Sequence, residues 1–543
     1  MQNPLLSSKP AKLAPDLVIV NATIRTMDGK NPHAGALAIL GNRIVAVGQT
    51  EAVRSLAGGK TRIINAGKKL VLPGLNDAHV HFLSGGFSRA QVDLRDAKSP
   101  GELAQRLLDY ARKTPRDRWI LGGEWDHEQW PNAPLPTKEL IDAATSGHPV
   151  AVNRLDGHML LANSLALKLS GVTRKTPAPP GGEIVRDNHG QPTGIFKDTA
   201  QDLIKVPTPS WDEKLAAARA ATDHAARLGV TSVTDMSADG DVGLYQFMAR
   251  SGELKTRIYA LRSIVSWEVL RQVGVRAAFG DDLVRLGGLK GFSDGSLGST
   301  TARFFEPYAD APDTRGLWCD QMLPPGTMEK RVLEADQAGL QVIIHAIGDE
   351  ANAKILDLCR NVAKRNGARD RRFRIEHAQH LRPRDIARFG RQKVIASVQP
   401  YHAADDGRWC DRRLGPKRLR GTYAFRSLLD SGAVLALGTD WTVAPLEPML
   451  TIQAAVTRQT LDGKHPGGWN PGEKISVSEA VHAYTVGSAY AEFTEDKKGM
   501  LAPGKLADIV MLDRDIFSID PGEIDKTRAV LTVMDGQVVY EAK

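Results

Sequence analysis

The stretch that decides the fold is an apolar run that ends in two histidines. It reads Leu70-Val71-Leu72-Pro73-Gly74-Leu75-Asn76-Asp77-Ala78-His79-Val80-His81. Residues i and i+2 of a β-strand point to the same face. His79 and His81 therefore stand roughly 6.6 Å apart along the backbone, and both can lean onto one ion. Two neutral imidazoles at the end of a strand make half of a zinc-type site. The pattern predicts a strand that delivers metal ligands.

Seven further apolar runs follow, and the segments between them are long enough for crossover helices. One of these segments starts with the capping box Ser210-Trp211-Asp212-Glu213 and continues as an Ala-rich helix into Gly229. Eight strand and helix units are the count of a TIM (β/α)8 barrel, so we predict an α/β fold of this kind. The eight predicted barrel strands are residues 70–81, 230–236, 257–264, 286–292, 340–346, 373–378, 394–398 and 434–439.

Both ends of the chain, and the gap after the first strand, depart from this alternation. Short β-rich runs separated by turn dipeptides fill the two ends, which predicts one small β-sandwich domain made from residues 16–70 and 499–543. Residues 71–114 and 210–498 are predicted to form the barrel. The gap after the first strand is too long for one helix, so we interpret residues 115–209 as an inserted subdomain. Its position at the catalytic face makes it a candidate lid.

Composition and charge exclude several functional classes. The chain has 543 residues, of which 42% are hydrophobic and 25% charged, with a net charge of +8. This mild positive charge comes without a nucleic-acid-binding motif, so no nucleic-acid partner is expected. The sequence has no run of about 18 apolar residues, so no membrane span is expected. The three cysteines form no disulfide framework, and residues 1–15 do not have the apolar segment of a signal peptide. A cytoplasmic location is therefore expected.

The functional side chains of a TIM barrel lie at the carboxyl ends of its strands. Besides His79 and His81, the predicted strand ends carry Lys290, His345, His377 and Asp440. Imidazole and carboxylate groups suit zinc, manganese or similar ions. A lysine is unusual there, because its ammonium repels a cation. It becomes reasonable if the neutral amine is carbamylated by carbon dioxide to give a bridging anion.

These motifs resemble the amidohydrolase superfamily. The segments that carry the resemblance are residues 72–81, 343–348, 374–378, 437–441 and 501–508. Two further segments, residues 156–164 and 290–299, are similar to the YtcJ-like group, which includes N-substituted formamide deformylase. The resemblance extends over nearly the whole chain.

The resemblance implies a metal-dependent hydrolase that acts on a small molecule through metal-activated water. The bond would be a carbon–nitrogen bond other than a peptide bond, in an amide, formamide, carbamate or cyclic amide. Asp440 would take the proton of the attacking water and pass it to the leaving amine. The implied ligands of one or two divalent ions, zinc first, are His79, His81 and Asp440 for one ion and His345 and His377 for the other, with carbamylated Lys290 between them.

Two alternatives stay open, namely a single-metal deaminase of the same superfamily and a barrel protein without catalytic activity. Lys290 favours the hydrolysis of an amide, because a single-metal deaminase needs no bridging anion. Assembly into a homo-oligomer is also left open. Candidate contacts to the substrate, each with a competing structural role, are His158, Asp294, His402, Trp125 and Trp441.

Overall fold

The centre of the molecule is a nearly closed sheet of eight parallel strands in which spatial order follows chain order. The computed structural model describes residues 14–236 and 240–543. Beyond the last strand, Trp441 forms a parallel bridge back to Val80 of the first. The predicted α/β barrel is thus present, and its strands lie within a few residues of the predicted ones. They are β1 (Leu75–Val80), β2 (Val230–Asp235), β3 (Arg257–Ser263), β4 (Val284–Phe292), β5 (Gln341–Ala346), β6 (Arg374–His377), β7 (Ile395–Val398) and β8 (Leu435–Leu437).

The run that was predicted as one strand over residues 70–81 is two strands. Leu70–Pro73 pairs with Thr23–Arg25 and Ile509–Leu512, outside the barrel, and β1 begins only at Leu75. Gly74 separates the two strands. A Cβ atom there would lie 2.1 Å from the Thr231 side chain, so the chain can turn at this point only without a side chain. The prediction of a single strand was wrong for this reason.

Residues 17–73 and 509–541 contribute the strands of two further sheets. Side chains from both sheets, among them Leu37 and Ile509, pack into one apolar cluster. One sheet has the order Arg43–Gly48, Ala36–Leu40, Leu17–Val20, Arg62–Asn65. The other combines strands from the two ends, in the order Gln537–Glu541, Ala529–Met534, Ile509–Leu512, Leu70–Pro73, Thr23–Arg25, His33–Ala34.

The insertion after β1 has a sheet of its own. The helix Pro100–Ala111 packs Leu103 and Leu107 into the same apolar cluster as Ile120 of this sheet. The inserted unit therefore reaches back to Val92, ahead of the predicted start at residue 115, because its first strand has only two residues and gives no readable pattern. The sheet order is Gly182–Arg186, Pro192–Asp198, Met159–Ala162, Val150–Arg154, Ile120–Trp125, Val92–Asp93.

Helices connect the strands, and the predicted capping box of Ser210 and Glu213 starts the helix Trp211–Arg227. Among the residues described, no helix has both the length and the apolar character needed to cross a membrane. The helices are Thr50–Arg54, Phe82–Ser88, Pro100–Ala111, Lys138–Asp142, Ser164–Leu169, Trp211–Arg227, Val242–Arg250, Trp267–Gln272, Thr327–Gln337, Asp349–Asn366, Pro383–Gln392, Pro400–Asp406, Cys410–Leu414, Phe425–Asp430, Pro448–Thr457, Val477–His482 and Ser488–Ala491.

Candidate metal centre

All six residues predicted as metal ligands line one cavity. The cavity has a volume of about 70 Å³. Each strand brings its ligand to the carboxyl end of the barrel, where side chains from separate strands converge. The predicted ligands among its lining residues are His79, His81, Lys290, His345, His377 and Asp440.

The tightest group in this cavity consists of His79, His377 and Asp440. Their potential ligand atoms all lie within 4.8 Å of one another. The Nε2 atoms of His79 and His81 are each 3.4 Å from Asp440 Oδ1. That buried oxygen has no hydrogen-bond partner among the described residues, and an unpartnered buried carboxylate oxygen is costly unless a cation is present. The donor set and the orphaned oxygen therefore fit a divalent metal ion.

Lys290 and His345 stand beside this group. The Nζ atom of Lys290 is 3.4 Å from Nε2 of His79. The ring of His345 packs against that of His377 with their centroids 4.6 Å apart. Nε2 of His345 donates to the carbonyl oxygen of Gly295 at 3.0 Å, which leaves a lone pair on Nδ1 for a ligand. The resemblance assigned His377 to a second ion, whereas here His377 belongs to the same close group as His79 and Asp440.

Hydrogen bonds at Nδ1 fix the orientation of two of these imidazole rings. Nδ1–H of His79 donates to Glu376 Oε2 at 2.5 Å, and Arg374 donates to the other oxygen of Glu376 at 2.9 Å. Nδ1–H of His377 donates to Gln399 Oε1 at 2.8 Å. In both rings Nε2 then keeps its lone pair. For His79 this nitrogen lies 3.4 Å from Asp440 Oδ1, as a metal ligand requires. Sequence reasoning did not select Glu376 or Gln399.

The backbone at two ligands is held in an uncommon conformation. His377 has φ of 74° and Asp440 has φ of 61°, in the left-handed region that residues with a side chain seldom adopt. The N–H of Asp440 donates to the carbonyl of His79 at 2.7 Å, and the N–H of Thr439 donates to the buried carboxylate of Asp77. These two contacts help to hold the backbone at Asp440. The side chains of both His377 and Asp440 line the cavity.

Burial sets the protonation states that a metal site needs. It lowers the pKa of His79 to about 4, with a further contribution from Lys290. Burial also lowers the pKa values of His345 and His377 well below the usual range. All three imidazoles are therefore neutral near pH 7 and keep a lone pair. The pKa of Lys290 falls to about 8, again through burial.

Of the five predicted substrate contacts, His158 and His402 line the cavity. His158 belongs to the insertion, and its Nδ1–H donates to Asp198 at 2.6 Å. Its ring centroid is 5.1 Å from that of His345. His402 lies in the first turn of the helix after β7, with its Nε2 atom 3.8 Å from Asp440 Oδ2.

The other three predicted contacts, Asp294, Trp125 and Trp441, do not line this cavity. Asp294 lies behind His345, where it accepts hydrogen bonds from backbone N–H groups of two loops. Trp125 is fully buried in the insertion, with its indole N–H donated to a strand carbonyl. Trp441 packs edge-on against Phe82. Their side chains serve local packing and hydrogen bonding. Composition and spacing in the sequence do not distinguish this structural role from a place in the wall of a pocket.

The insertion supplies one wall of the cavity. Arg154 donates to Asp126 at 2.7 Å and to Asp156 at 2.6 Å, and all three side chains line the cavity. Next to it, a groove of about 720 Å³ runs between the insertion and the barrel and shares His81 and His158 with the cavity. Since small-molecule sites usually measure ~300–1,000 Å³, the groove and cavity together have the size of a substrate site.

Comparison with known proteins agrees with this fold. The model of the amidohydrolase family matches residues 62–540. The chain is 40% identical to Protein LONG AFTER FAR-RED 3 of Arabidopsis thaliana, over 98% of this chain and 92% of that protein. It is 32% identical to the putative amidohydrolase YtcJ of Bacillus subtilis (95% and 98%) and 27% identical to N-substituted formamide deformylase of Arthrobacter pascens (97% and 98%). A crystal structure of an uncharacterized metal-dependent hydrolase from Pyrococcus horikoshii is 30% identical, with a TM-score of 0.75, and the match covers 93% of this chain and 99% of that one. The chain therefore belongs to the amidohydrolase family, within its YtcJ-like group.

Proposed function

We propose that this chain is a metal-dependent hydrolase of a carbon–nitrogen bond other than a peptide bond, in a small amide, N-substituted formamide, carbamate or cyclic amide. The observation that carries the proposal is the buried group of His79, His377 and Asp440, in which one carboxylate oxygen has no hydrogen-bond partner among the described residues. The class of bond is supported by one relative, whose name is N-substituted formamide deformylase.

In this proposal, different residues of the cavity have different roles in hydrolysis. A divalent ion held by His79, His377 and Asp440, with His81 beside them, would supply Lewis acidity that activates water and polarises a carbonyl group. The carboxylate of Asp440 would accept a proton from the attacking water and return it to the leaving nitrogen. Glu376 keeps the ring of His79 in the required tautomer.

We include a carbamylated Lys290 in this proposal. Its buried amino group is 3.4 Å from His79 Nε2, a position where a full positive charge would oppose a bound cation. As a neutral amine, Nζ can add to the carbon of carbon dioxide and lose one proton, which gives a carbamate anion beside the metal ligands. Zinc is the ion that the imidazole and carboxylate donors favour, with manganese as an alternative.

The insertion is proposed to act as a lid. Arg154, Asp156 and His158 form one wall of a cavity of about 70 Å³, which is too small for most organic substrates. Entry through the adjoining groove then requires the insertion to move away from the barrel, and its return would exclude water from the reacting groups.

The metal part of the proposal is tested by elemental analysis of protein purified without chelator. We expect roughly one to two ions per chain, and less metal in His377→Ala. His33→Ala is the control, because His33 is exposed and does not line the cavity. Protein that holds no metal, and that gains no activity when zinc or manganese is added, contradicts the proposal.

The reaction is tested with the metal-replete protein on p-nitroformanilide, p-nitroacetanilide, a phenyl carbamate and 5-phenylhydantoin, with cytosine and adenosine as deaminase probes. Hydrolysis of any member of the first set, abolished in Asp440→Asn, supports the proposal. Release of ammonia from the deaminase probes alone identifies a single-metal deaminase instead. Activity on none of the probes, from protein that holds metal, contradicts both.

A further inference from the structure

His402 is a buried histidine whose outer ring nitrogen has no partner. Its relative exposure is 7%, and it lies in the first turn of the helix Pro400–Asp406 that follows β7. The ring stacks over His377, with an angle of 16° between the planes and 6.2 Å between the centroids. Nε2 has no hydrogen-bond partner among the described residues. This nitrogen is 3.8 Å from Asp440 Oδ2, which is beyond hydrogen-bonding distance.

The hydrogen-bond partner of Nδ1 of His402 indicates which ring nitrogen carries the proton of the neutral imidazole. The side-chain amide of Gln379 donates from Nε2 to Nδ1 of His402 at 3.3 Å. A nitrogen that accepts a hydrogen bond carries the lone pair, so the proton of a neutral imidazole lies on Nε2. The structure thus presents an N–H donor beside Asp440, in the wall of the cavity, with no acceptor from the protein.

We propose that the Nε2–H of His402 donates a hydrogen bond to the oxygen of the scissile carbonyl group and stabilises the negative charge that develops there. This inference rests on the proposed function. When the oxygen of water adds to the carbonyl carbon, Asp440 takes a proton from the water and the π electron pair of the C=O bond moves onto the carbonyl oxygen. When the tetrahedral species collapses, that pair re-forms the C=O bond, the C–N bond breaks with its electron pair on nitrogen, and the nitrogen leaves with the proton that Asp440 returns. A donor aimed at this oxygen lowers the energy of the state between the two steps.

Two features make the donor suitable for this role. The stacking on His377 and the hydrogen bond from Gln379 hold the ring at a fixed orientation, so little reorganisation is needed during the reaction. An unpartnered N–H in a buried position is also costly, which is consistent with a partner that arrives with the substrate. Gln379 acts on the substrate only through His402 and is a positioning residue.

The test compares His402→Phe, which keeps a planar ring and removes the donor, with His380→Phe. His380 is an apt control: it is equally buried and its Nε2 has no partner either, but it does not line the cavity. For hydrolysis of p-nitroformanilide, or of whichever probe the wild type hydrolyses best, we expect kcat of His402→Phe to fall by roughly 10²–10³-fold with KM little changed. His380→Phe should keep the wild-type kcat per folded, metal-loaded chain.

Two measurements do not depend on turnover. A phosphonamidate analogue of the same probe, which mimics the tetrahedral state, should bind His402→Phe weaker by a similar factor, whereas the product amine should bind equally well. Histidine ¹⁵N NMR of the wild type, with the His402 signal identified by its loss in the variant, should show protonation at Nε2 and a lone pair at Nδ1.

Each outcome has one meaning. If the wild type is active and His402→Phe keeps its kcat, or if the NMR signal shows a lone pair at Nε2, the inference about His402 is refuted while the proposed function stands. Loss of metal from His402→Phe would make this residue a ligand and refute the inference as well. If the wild type hydrolyses none of the probes, the proposed function fails, and the inference fails with it.

Discussion

Replacement of Glu376 by glutamine tests the hydrogen bond that orients His79, a proposed metal ligand. Glu376 is fully buried and accepts hydrogen bonds from His79 at 2.5 Å and from Arg374 at 2.9 Å. Burial alone would raise its pKa, but Arg374 and His79 outweigh this effect and lower the pKa to about 2. The carboxylate is therefore ionised at neutral pH, and Glu376→Gln removes one full negative charge without a change of shape.

The structure predicts two separate effects of this change. The loss of the charged acceptor behind His79 should weaken metal binding by roughly 10–100-fold, the range found when such outer partners of metal-bound histidines are removed. This corresponds to about 1.4–2.7 kcal/mol of binding free energy. Stability should fall too, because the guanidinium of Arg374 stays buried without a counter-charge, and removal of one partner of a buried pair costs about 3–5 kcal/mol.

A matched variant separates the two effects. Asp336 is equally buried and pairs with Arg369 at 2.7 Å and Arg371 at 3.0 Å, but it lies in the helix Thr327–Gln337 and does not line the cavity. Asp336→Asn should lower the unfolding midpoint without a change in metal affinity. The assays are a zinc titration against a chromophoric chelator and thermal unfolding of the metal-free proteins. Equal zinc affinity of Glu376→Gln and wild type, or an equal loss in both variants, would refute the reasoning.

Four further changes test other parts of the structure. Lys290→Ala should lose most of its activity and recover part of it with added acetate or propionate, which can replace a carbamate; full activity without addition would contradict a role for Lys290. Burial raises the pKa of Asp406 to about 7. Between about pH 4 and pH 7 the folded protein therefore holds a proton that the unfolded chain has released. Because of this difference, the free energy of unfolding should fall with rising pH by up to about 1.4 kcal/mol per pH unit. Asp406→Asn should lack this fall. The difference in unfolding midpoint between the variant and the wild type should therefore grow from pH 5 to pH 6 and pH 7. A difference that stays constant over this range would contradict the prediction. In Gly348→Ala the new Cβ would lie 2.0 Å from the carbonyl oxygen of Arg303, and denaturant unfolding should show a loss of about 1–3 kcal/mol. Gly243→Ala, in the helix Val242–Arg250 with no atom within 4 Å of the new Cβ, should be neutral or more stable by about 0.4–1 kcal/mol.

The barrel, and the convergence of the six predicted ligands on one cavity, were predictable because apolar strands in such a fold are buried on both sides and end in the few polar residues that face the cavity. A histidine or aspartate directly after an apolar run is therefore a strong signal, as at His345 and Asp440. Glu376 escaped prediction because strand residues are expected to alternate between faces. The alternation fails at His377, whose backbone has φ of 74°, so that Glu376 and His377 both reach the surroundings of His79.

Contacts that depend on the path of loops could not be predicted. Trp125 and Trp441 were expected in the pocket because of their type and position, but each fills a local core, in the insertion and against Phe82. Asp294 has the appearance of a pocket acid in the sequence, whereas its oxygens accept N–H groups of loops that only the folded chain brings together. The break at Gly74 depends likewise on a neighbour, Thr231, that is remote in sequence.

The contact between the end of β1 and the segment after β8 determines when the group of proposed ligands can form. Across this contact, His81 N–H donates to the carbonyl of Trp441 and Asp440 N–H donates to the carbonyl of His79. The ligands on its two sides belong to the first and the last strand of the barrel. During synthesis on the ribosome, His79 and His81 emerge early, and the carboxylate that completes their group arrives only with the last strand. An ion bound by all of them would therefore mark a chain whose barrel has closed, and it would link the first and the last strand of the barrel to be synthesised.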